Sequence, residues 1–551
     1  MGTHEPRRRR SSPLSVCEQL PEKTKQGRWL DCAFRGLSDF WPLNLLLYLV
    51  TFPLAELAFY VHVQHWRRAR SAAPHDTFEG PKDTSEVLRL WDGFLAEYDA
   101  TGLRSLLRGW FVGKGEPHRG DVRDFVTWTL YNSETPPNAA EASVVEGVVR
   151  RIEQALGRPL PPGQYQLNSR PGGTACGTGF RCMRYTREPL AECHRPLVYY
   201  LVLQAAHCLL GGALRLLCGF ERRRVGRLHY LARPASPADT STAPVVFLHG
   251  VGGLLPYALL VWRLAREHDG PVLLPLLPSG ALDALPSSAC ASRAMPTDEL
   301  VEALAQLVAR HSPTPDAPRA GFLAHSLGTA TLAALLKRRP EVCAAASFCD
   351  PICFLLHQRD VLYNFMYATP PFTLAWGSKG GFARWFHWVQ HVVMTSDPTV
   401  QNAFRREFFW AHYDLHPAQL AAMGNGAAAA VHLSAADTVC NPRAVAAHLR
   451  RNAPSLSVSV VEGELSVHGA QLCLFPRTQR AVCAQLRRML AAASEAERDA
   501  LRASRLAAGG DAASGMRRVD SHMSTSSSWQ SLAFVERAPT QREVWGDSES
   551  S

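Results

Sequence analysis

The sequence predicts an α/β fold in which a mostly parallel sheet is flanked by helices. From about Glu221 to residue 495, short apolar runs of strand length alternate with longer runs of helical period, as expected of strands joined by covering helices. Upstream, EASVVEGVVRRIEQAL places its apolar residues at helical spacing. These two observations predict a catalytic α/β domain that follows a mainly helical extension.

The predicted strands are short segments rich in β-branched or aliphatic residues, and each is bounded by turn residues. In chain order they are VGRLHYLAR, PVVFLH, PVLLPLL, RAGFLAH, AAASFCD, AAAAVHLS and SLSVSVVEG. The segment VEALAQLVARH predicts a helix before RAGFLAH, and TATLAALLKRRP predicts another soon after it. The chain therefore predicts the order strand, turn, helix around residue 326.

The domain organisation follows from these composition changes. Residues 1–39 predict a disordered basic N-terminus, 40–66 an apolar membrane-associating helix, and 67–220 the helical extension. Residues 221–495 form the predicted catalytic domain, with a helical lid insertion at about 354–425, and 496–551 predict a disordered Ser-rich tail.

Charge and cysteine usage narrow the possible partners. The chain of 551 residues carries a net charge of +10, but its basic runs are short and flank apolar stretches. That pattern favours an anionic membrane surface, and no nucleic-acid module is recognisable, so nucleic-acid binding is not expected. The 14 cysteines lack disulfide-framework spacing, which favours a reducing, intracellular compartment. Cys176, Cys182, Cys193 and His194 do not match zinc spacings, so no zinc site is expected there. Serine hydrolysis by a triad requires neither a metal nor an organic cofactor, and none is expected.

Two apolar stretches predict membrane association. Residues 41–63 read WPLNLLLYLVTFPLAELAFYVHV, and residues 196–220 read PLVYYLVLQAAHCLLGGALRLLCGF, followed by ERRRVGR. The first is long enough for a transmembrane helix, although prolines and Glu56 weaken it, and polar residues weaken the second. Each stretch also fits a buried or surface-lying helix. The sequence specifies neither topology nor organelle.

The segment GFLAHSLGTA contains the candidate nucleophile, Ser326. A serine hydroxyl needs a tight turn that exposes it, a base, and donors for the developing oxyanion. Small residues stand two positions before and after it, Ala324 and Gly328, because strand and helix pack closely at such a turn. Alanine departs from the common GxSxG pattern only by a methyl group.

The oxyanion loop is predicted in VVFLHGVGG, directly after a strand. It contains His249, Gly250, Val251, Gly252 and Gly253, and its glycines let the backbone direct amides toward a substrate. The candidate donors are the backbone amides of Val251 and of Leu327, which follows the nucleophile. A phosphate-binding loop is the alternative, but the Walker lysine is missing.

The acid and base are expected to follow the serine in the order Asp, His. Asp437 stands after the strand AAAAVHLS, and His468 stands in the loop after the last predicted strand. Asp350 is the alternative acid, since it also ends a strand; it could instead be a structural carboxylate before Pro351.

The insertion between Cys353 and Tyr413 is rich in aromatic residues and is the predicted lid. FARWFHWVQHVV and NAFRREFFWAHYDL predict amphipathic helices. The aromatic side chains could face an apolar substrate, or they could pack only on the core.

With these motifs, the chain resembles members of the α/β-hydrolase superfamily, and more narrowly fungal and algal lipase-like, membrane-associated members. The narrower resemblance rests on LLRGWFVG, DVRDFVTWTLY, CDPICFLLH and SDPTVQNAFRREFFW, over about residues 40–485. It implies the hydrolase core, a helical N-terminal extension, and a triad of Ser326, Asp437 and His468. It implies no particular substrate.

The sequence thus predicts a serine hydrolase that cleaves carboxylic esters, of lipids or acyl chains, through an acyl-enzyme on Ser326. An acyltransferase or thioesterase would use the same triad. A catalytically silent membrane scaffold is the alternative from a different class.

Overall fold

The computed structural model describes residues 41–165, 180–237, 241–277, 295–370, 381–423 and 428–511, apart from 74, 76, 77, 79 and 82. Of the described residues, 41–62 belong to one compact unit and those from Val63 onward to a second. The predictions for residues 1–39 and for the tail from residue 512 lie outside the described residues.

The second unit is built on an eight-stranded sheet. Its strands are β1 (Glu221–Val225), β2 (Leu228–Arg233), β3 (Val245–Leu248), β4 (Val272–Pro275), β5 (Ala320–His325), β6 (Cys343–Cys349), β7 (Ala428–Ser434) and β8 (Ser457–Val461). They lie in the order β8-β7-β6-β5-β3-β4-β2-β1. Pairing is parallel from β8 to β4, and β2 is antiparallel to both β4 and β1. This is the α/β-hydrolase fold, which confirms the predicted fold class.

The helices that precede the sheet are α1 (Trp41–Ala72), α2 (Thr84–Leu95), α3 (Ala100–Gly109), α4 (Arg119–Tyr131), α5 (Ala139–Ala155) and α6 (Leu197–Cys218). Two-residue strands at Phe111–Val112 and Arg181–Cys182 pair antiparallel. The helices that follow β3 are α7 (Ala258–Glu267), α8 (Thr297–His311), α9 (Leu327–Arg338), α10 (Asp360–Met366), α11 (Gly381–Gln390), α12 (Pro398–Asn402), α13 (Trp410–Tyr413), α14 (Pro442–Asn452), α15 (Ala470–Leu474) and α16 (Pro476–Asp511). Helix α16 continues past residue 495, where the sequence analysis placed the start of the tail.

The central strands explain why the sequence pattern was readable. Every residue of β3, β4, β5 and β6 is buried, because helices cover both faces of the parallel part of the sheet. Such strands have near-continuous apolar runs, as in VVFL and VLLP. The seven predicted strands are confirmed.

The first predicted strand is in fact the second arm of a hairpin. β1 begins at Glu221 and pairs with β2 across a turn that contains Gly226, whose φ is 53°. Glycine tolerates that backbone conformation. Arg222, Arg223 and Arg224 are exposed on this edge strand, where charge discourages pairing with another chain. The sequence pattern did not predict β1 because the side chains of this basic run do not alternate with apolar residues.

The C-terminal part of the lid insertion packs on the helical extension. The rings of Trp410 and Trp110 lie 5.6 Å apart, and Phe409 lies 5.7 Å from Trp128 and 4.8 Å from Phe78. Buried residues of the extension and of the insertion belong to one hydrophobic cluster. These aromatic side chains therefore stabilise the extension against the catalytic domain.

The prediction of one amphipathic helix over NAFRREFFWAHYDL is wrong. The chain instead forms α12, a π-helical turn at Ala403–Glu407, and then the short α13. The turn brings Arg405 and Arg406 into the interior, whereas an exposed helical face was expected for such charges. The other predicted helix, FARWFHWVQHVV, is present as α11 and continues into a π-helical turn at His391–Thr395.

Arg406 is held by five backbone carbonyl groups. Its guanidinium donates to the carbonyl oxygens of Arg70, Ser71, Thr186, Glu188 and Arg405, at 2.7–3.0 Å. These carbonyls come from the end of α1, the chain before α6, and the lid. One buried side chain thus connects three segments that are distant in sequence.

Replacing Arg406 by methionine is expected to lower the free energy of unfolding by about 3–5 kcal/mol, because the variant leaves buried carbonyls without a donor. Urea denaturation followed by circular dichroism measures this. Arg450→Met, at an exposed arginine on α14, is the control and should change stability by less than about 0.5 kcal/mol. Equal midpoints for the two variants would contradict the role assigned to Arg406.

Candidate active site

Ser326 stands at the turn between β5 and α9, in a strained backbone conformation. Its φ is 49° and its ψ is −119°, a combination that non-glycine residues seldom adopt and that persists where surrounding packing imposes it. A Cβ at Gly328 would lie 2.1 Å from the carbonyl oxygen of Leu248, so only glycine fits there. Ala324 is fully buried between Leu248 and Phe348 on the neighbouring strands. The extra methyl relative to GxSxG is therefore accommodated in the sheet.

His468 connects the serine to Asp437. Its Nε2 lies 2.8 Å from Ser326 Oγ, and its Nδ1 lies 2.7 Å from Asp437 Oδ2. The other carboxylate oxygen of Asp437 accepts the amides of Val439 and Cys440, at 2.7 and 2.8 Å. Those amides orient the carboxylate, and the carboxylate fixes the imidazole with its proton on Nδ1. Nε2 is then free to accept the serine proton, which is the arrangement of a Ser–His–Asp triad.

The electrostatic surroundings favour a basic His468. Burial lowers the pKa of His468, but the Asp437 carboxylate outweighs this by its charge and hydrogen bond, and Asp350 adds to it. The pKa therefore lies above its ordinary value of 6.5. A raised pKa makes the imidazole a stronger acceptor for the serine proton.

Asp350, the alternative acid, does not contact His468 within hydrogen-bond distance. Its carboxylate accepts from the amide and hydroxyl of Ser434, at 2.8 and 3.0 Å, and from the Gly469 amide at 2.8 Å. Burial raises the pKa of Asp350, but the imidazoles of His325 and His468 and the Gly469 amide lower it more. Asp350 is thus a buried anion that holds the residue after His468.

Two site residues were missed by the sequence analysis, Tyr257 and His325. The Gly250 amide donates to Tyr257 Oη at 3.2 Å, and that hydroxyl lies 2.7 Å from His325 Nδ1. His325 Nε2 lies 3.8 Å from Asp350 Oδ2. Burial lowers the pKa of His325 although Asp350 raises it, so this imidazole is neutral at pH 7. A buried polar chain therefore joins the oxyanion loop to the His468 loop behind the serine. In the sequence, the only sign of this polar chain is that a histidine directly precedes Ser326.

The predicted oxyanion loop lies against Ser326. A Cβ at Gly250 would lie 3.0 Å from Ser326 Cβ, so the backbone approaches the serine as closely as glycine allows. Gly252 and Gly253 have φ values of 97° and 71°, which require glycine or strain. The ring of His249 points away, since its Nε2 accepts the Leu277 amide at 3.1 Å.

The predicted oxyanion donors, the amides of Val251 and Leu327, flank this contact. Val251 follows Gly250 in the loop. Leu327 is the first residue of α9, where amides lack a partner within the helix and the helix dipole favours negative charge. Their role as donors stays a prediction.

The side chains of Asp437, Cys440 and His468 offer atoms that all lie within 4.8 Å of one another, and these residue types bind Zn²⁺ elsewhere. However, Cys440 Sγ donates to the Pro351 carbonyl oxygen at 3.2 Å. Burial raises the pKa of the Cys440 thiol well above its ordinary value, which opposes the thiolate that a metal needs. The contacts of Asp437 and His468 favour a role in proton transfer, and those of Cys440 favour a structural role.

The pH dependence of ester hydrolysis is expected to report His468. Because only neutral imidazole can accept the serine proton, kcat/KM should rise with pH through a midpoint above 6.5, the ordinary value. Asp350→Asn removes a negative charge that raises the pKa of His468, so the midpoint should move to lower pH. Rate profiles from pH 5 to about pH 9 measure it. Asp316→Asn, at an exposed carboxylate, should leave the midpoint in place; an unmoved midpoint in Asp350→Asn would refute this electrostatic account.

No family model matches the chain, and no curated protein matches its sequence. Among solved structures, the chain is similar to a membrane phospholipase A described as a bacterial virulence factor, at 16% identity and a TM-score of 0.35, over 53% of this chain and 97% of that one. It is also similar to a carboxylesterase of Bacillus subtilis, at 11% identity and a TM-score of 0.34, over 52% and 98%. A putative aryl esterase of Burkholderia cenocepacia matches at 16% identity and a TM-score of 0.33, over 49% and 99%. At these values the likenesses assign no activity or substrate to this chain.

Proposed function

We propose that this protein is a serine hydrolase that cleaves carboxylic esters of apolar acyl chains through an acyl-enzyme on Ser326. The observation that carries the proposal is the continuous hydrogen-bonded chain from Ser326 Oγ through His468 to Asp437. It combines a nucleophile, a base and an orienting carboxylate at a strained strand–helix turn.

In the first step, His468 Nε2 takes the proton of Ser326 as Oγ forms a bond to the carbonyl carbon of the ester. The negative charge that develops on the carbonyl oxygen is stabilised by the amides of Val251 and Leu327. The carbon–oxygen bond to the alcohol then breaks, and protonated His468 gives its proton to the leaving alkoxide. Asp437 remains ionised and stabilises the imidazolium during both transfers.

In the second step, water attacks the acyl-enzyme while His468 accepts one of its protons. Collapse of the second tetrahedral intermediate releases the carboxylic acid and returns the proton to Ser326. No metal or organic cofactor enters either step. An alcohol or thiol acceptor in place of water would give acyl transfer from the same intermediate, and an acyl thioester could donate the acyl group.

An apolar cavity beside the nucleophile supports an acyl substrate. It lies between α8, α9 and the π-helical turn of the lid, and Leu327, next to the serine, is part of its lining. The rest of the lining is mostly apolar, with Leu277, Met295, Leu300, Ala330, Ala403, Phe404, Phe408 and Tyr413, and it also includes Thr331 and Glu407. Aliphatic and aromatic walls of this kind fit a hydrocarbon chain. The backbone amide of Leu327 is thus a proposed oxyanion donor, while the same residue lines the proposed acyl site.

The experiment is a panel of p-nitrophenyl esters and acyl thioesters of increasing chain length, assayed with the wild type and with Ser326→Ala. Turnover that requires Ser326 and prefers esters supports the proposal. Mass spectrometry of products made with an added alcohol separates hydrolysis from transfer. Absence of turnover by folded protein on every substrate would favour the silent scaffold instead.

We also propose that the enzyme is membrane-associated and intracellular. Among the described residues, one helix, α6, is long and apolar enough to cross a membrane. The free cysteines of the described residues, such as Cys193, Cys208 and Cys473, form no disulfide, which suits a reducing compartment. Subcellular fractionation of the full chain tests this: recovery in the washed soluble fraction alone would contradict it.

A further inference from the structure

The outer face of α6 is apolar and exposed. In its most hydrophobic window of 18 residues only 6% is buried. Val202, Leu209 and Leu216 are spaced by seven residues and therefore lie on one face of the helix, with exposed fractions of 62%, 74% and 83%. Soluble proteins seldom expose a contiguous apolar surface of this length without a partner.

Both ends of α6 are attached to the same compact unit. At its beginning, Tyr200 donates to Asp397 Oδ2 and Tyr199 donates to the Val393 carbonyl oxygen, each at 3.0 Å. At its end, Leu214 is buried in the core of the catalytic domain, and Phe220 is buried directly before β1. The helix of 22 residues is about 33 Å long.

These attachments decide between two orientations. A helix that crosses a bilayer places its two ends on opposite sides, whereas here a single folded unit binds both ends. α6 cannot span while these contacts exist. It can lie in the plane of the membrane, with its exposed face among the acyl chains and its inner face on the protein.

The helices between α6 and the His468 loop also expose apolar side chains. α6 packs against α7, which exposes Leu259 and Trp262. α7 in turn packs against α15, where Leu474 is exposed a few residues after His468. A Cβ at Gly253, in the oxyanion loop, would lie 3.4 Å from His207 Nε2 in the middle of α6. The middle of α6 thus lies beside the predicted oxyanion loop.

The charge beside this surface fits anionic lipid. β1 follows α6 after two residues, and Arg222 and Arg224 are exposed on it. Basic residues next to an inserted apolar helix contact the headgroups of anionic lipids. This basic border is the observation that favours a lipid surface as the occupant.

We propose that α6, together with Leu259, Trp262 and Leu474, docks in the plane of an anionic lipid leaflet and turns the active site toward it. The surface refines the proposed function by naming the source of substrate, an ester drawn from the membrane. Docking itself requires no catalysis, and so it is tested separately.

The first test is flotation of the full chain, in the Ser326→Ala background, with phosphatidylcholine vesicles that contain or lack phosphatidylserine. Protein with the unaltered α6 surface should float with the anionic vesicles. Leu209→Asp combined with Leu216→Asp should lower partitioning at least about tenfold, because two inserted apolar side chains are replaced by charges. Leu90→Asp, at an exposed leucine of α2, should partition as the parent does. Thermal unfolding by circular dichroism verifies that each variant is folded.

The second test measures depth. A fluorescent amino acid introduced at position 202, 209 or 216 should be quenched equally by lipids that carry a quencher near the headgroup, while one at position 90 should not be quenched. A deep probe at 209 between shallow probes at 202 and 216 would overturn the in-plane orientation. Unaltered flotation of the double variant would overturn lipid docking. It would also be overturned if the parent bound no vesicles and instead formed a dimer that the two substitutions converted to monomer. Each of these outcomes leaves the hydrolase proposal intact.

Discussion

Ser326→Ala is expected to lower kcat/KM for an ester substrate by about a million-fold, because the attacking oxygen is removed from the hydrogen bond to His468. The binding surfaces and the oxyanion loop remain, so residual activity above the uncatalysed rate is expected. Stopped assays with the best substrate of the ester panel measure this effect. Ser455→Ala, at an exposed serine before β8, should retain wild-type activity.

A loss of less than about tenfold in folded Ser326→Ala would mean that another group performs the attack, since losses of that size are typical of positioning residues. The backbone at this position is strained, and alanine adopts it no more easily than serine. The variant therefore changes the chemistry without relieving the turn. Circular dichroism and the unfolding midpoint should be those of the wild type.

Asp437→Asn is expected to lower kcat by about ten thousand-fold. The amide retains the shape of the carboxylate, and its oxygen can still accept the amides of Val439 and Cys440. However, its NH₂ group would then face His468 Nδ1 and favour the tautomer with the proton on Nε2. That tautomer cannot accept the serine proton.

The matched variant is Asp350→Asn, which is expected to lower kcat by no more than about a hundredfold, since it disturbs the position of the His468 loop and not the tautomer. The difference between two isosteric replacements thus separates the acid from the positioning carboxylate. If Asp350→Asn had the larger effect, Asp350 would be the acid in the working enzyme and the contact from Asp437 to His468 would have another purpose.

The core of the fold and the order of the site could be predicted because burial leaves a strong pattern. β3, β4, β5 and β6 are buried on both faces, so their sequences are unbroken apolar runs that stand out from the helices. Ser326 follows such a run, whereas Asp437 and His468 follow the less buried strands β7 and β8. The ends of parallel strands meet at one edge of a sheet. Sequence order was therefore sufficient to bring them together.

The sequence favours Asp437 as the acid but leaves Asp350 open as the alternative, because each aspartate follows one of two neighbouring strands, β7 and β6. What distinguishes them is the direction of two side chains across a loop, which has no local signature. The chain from Tyr257 to His325 is invisible for the same reason, since its partners are 68 residues apart.

The lid shows a second limit. Arg405 and Arg406 are charged, so the pattern predicts an exposed helical face, yet both are buried against carbonyl groups of distant segments. Their favourable environment exists only after the extension, the end of α1 and the lid have come together. Tertiary contacts of this kind override helical periodicity, and they break the predicted helix into short pieces.

The central claim is that Ser326 is a nucleophile activated by His468. Covalent labelling with a fluorophosphonate probe, followed by mass spectrometry of the labelled peptide, tests it most directly. We expect a single adduct on Ser326 in the wild type, none in Ser326→Ala, and greatly slowed labelling in His468→Ala. Folded wild-type protein that forms no adduct, or an adduct on a different residue, would contradict the claim.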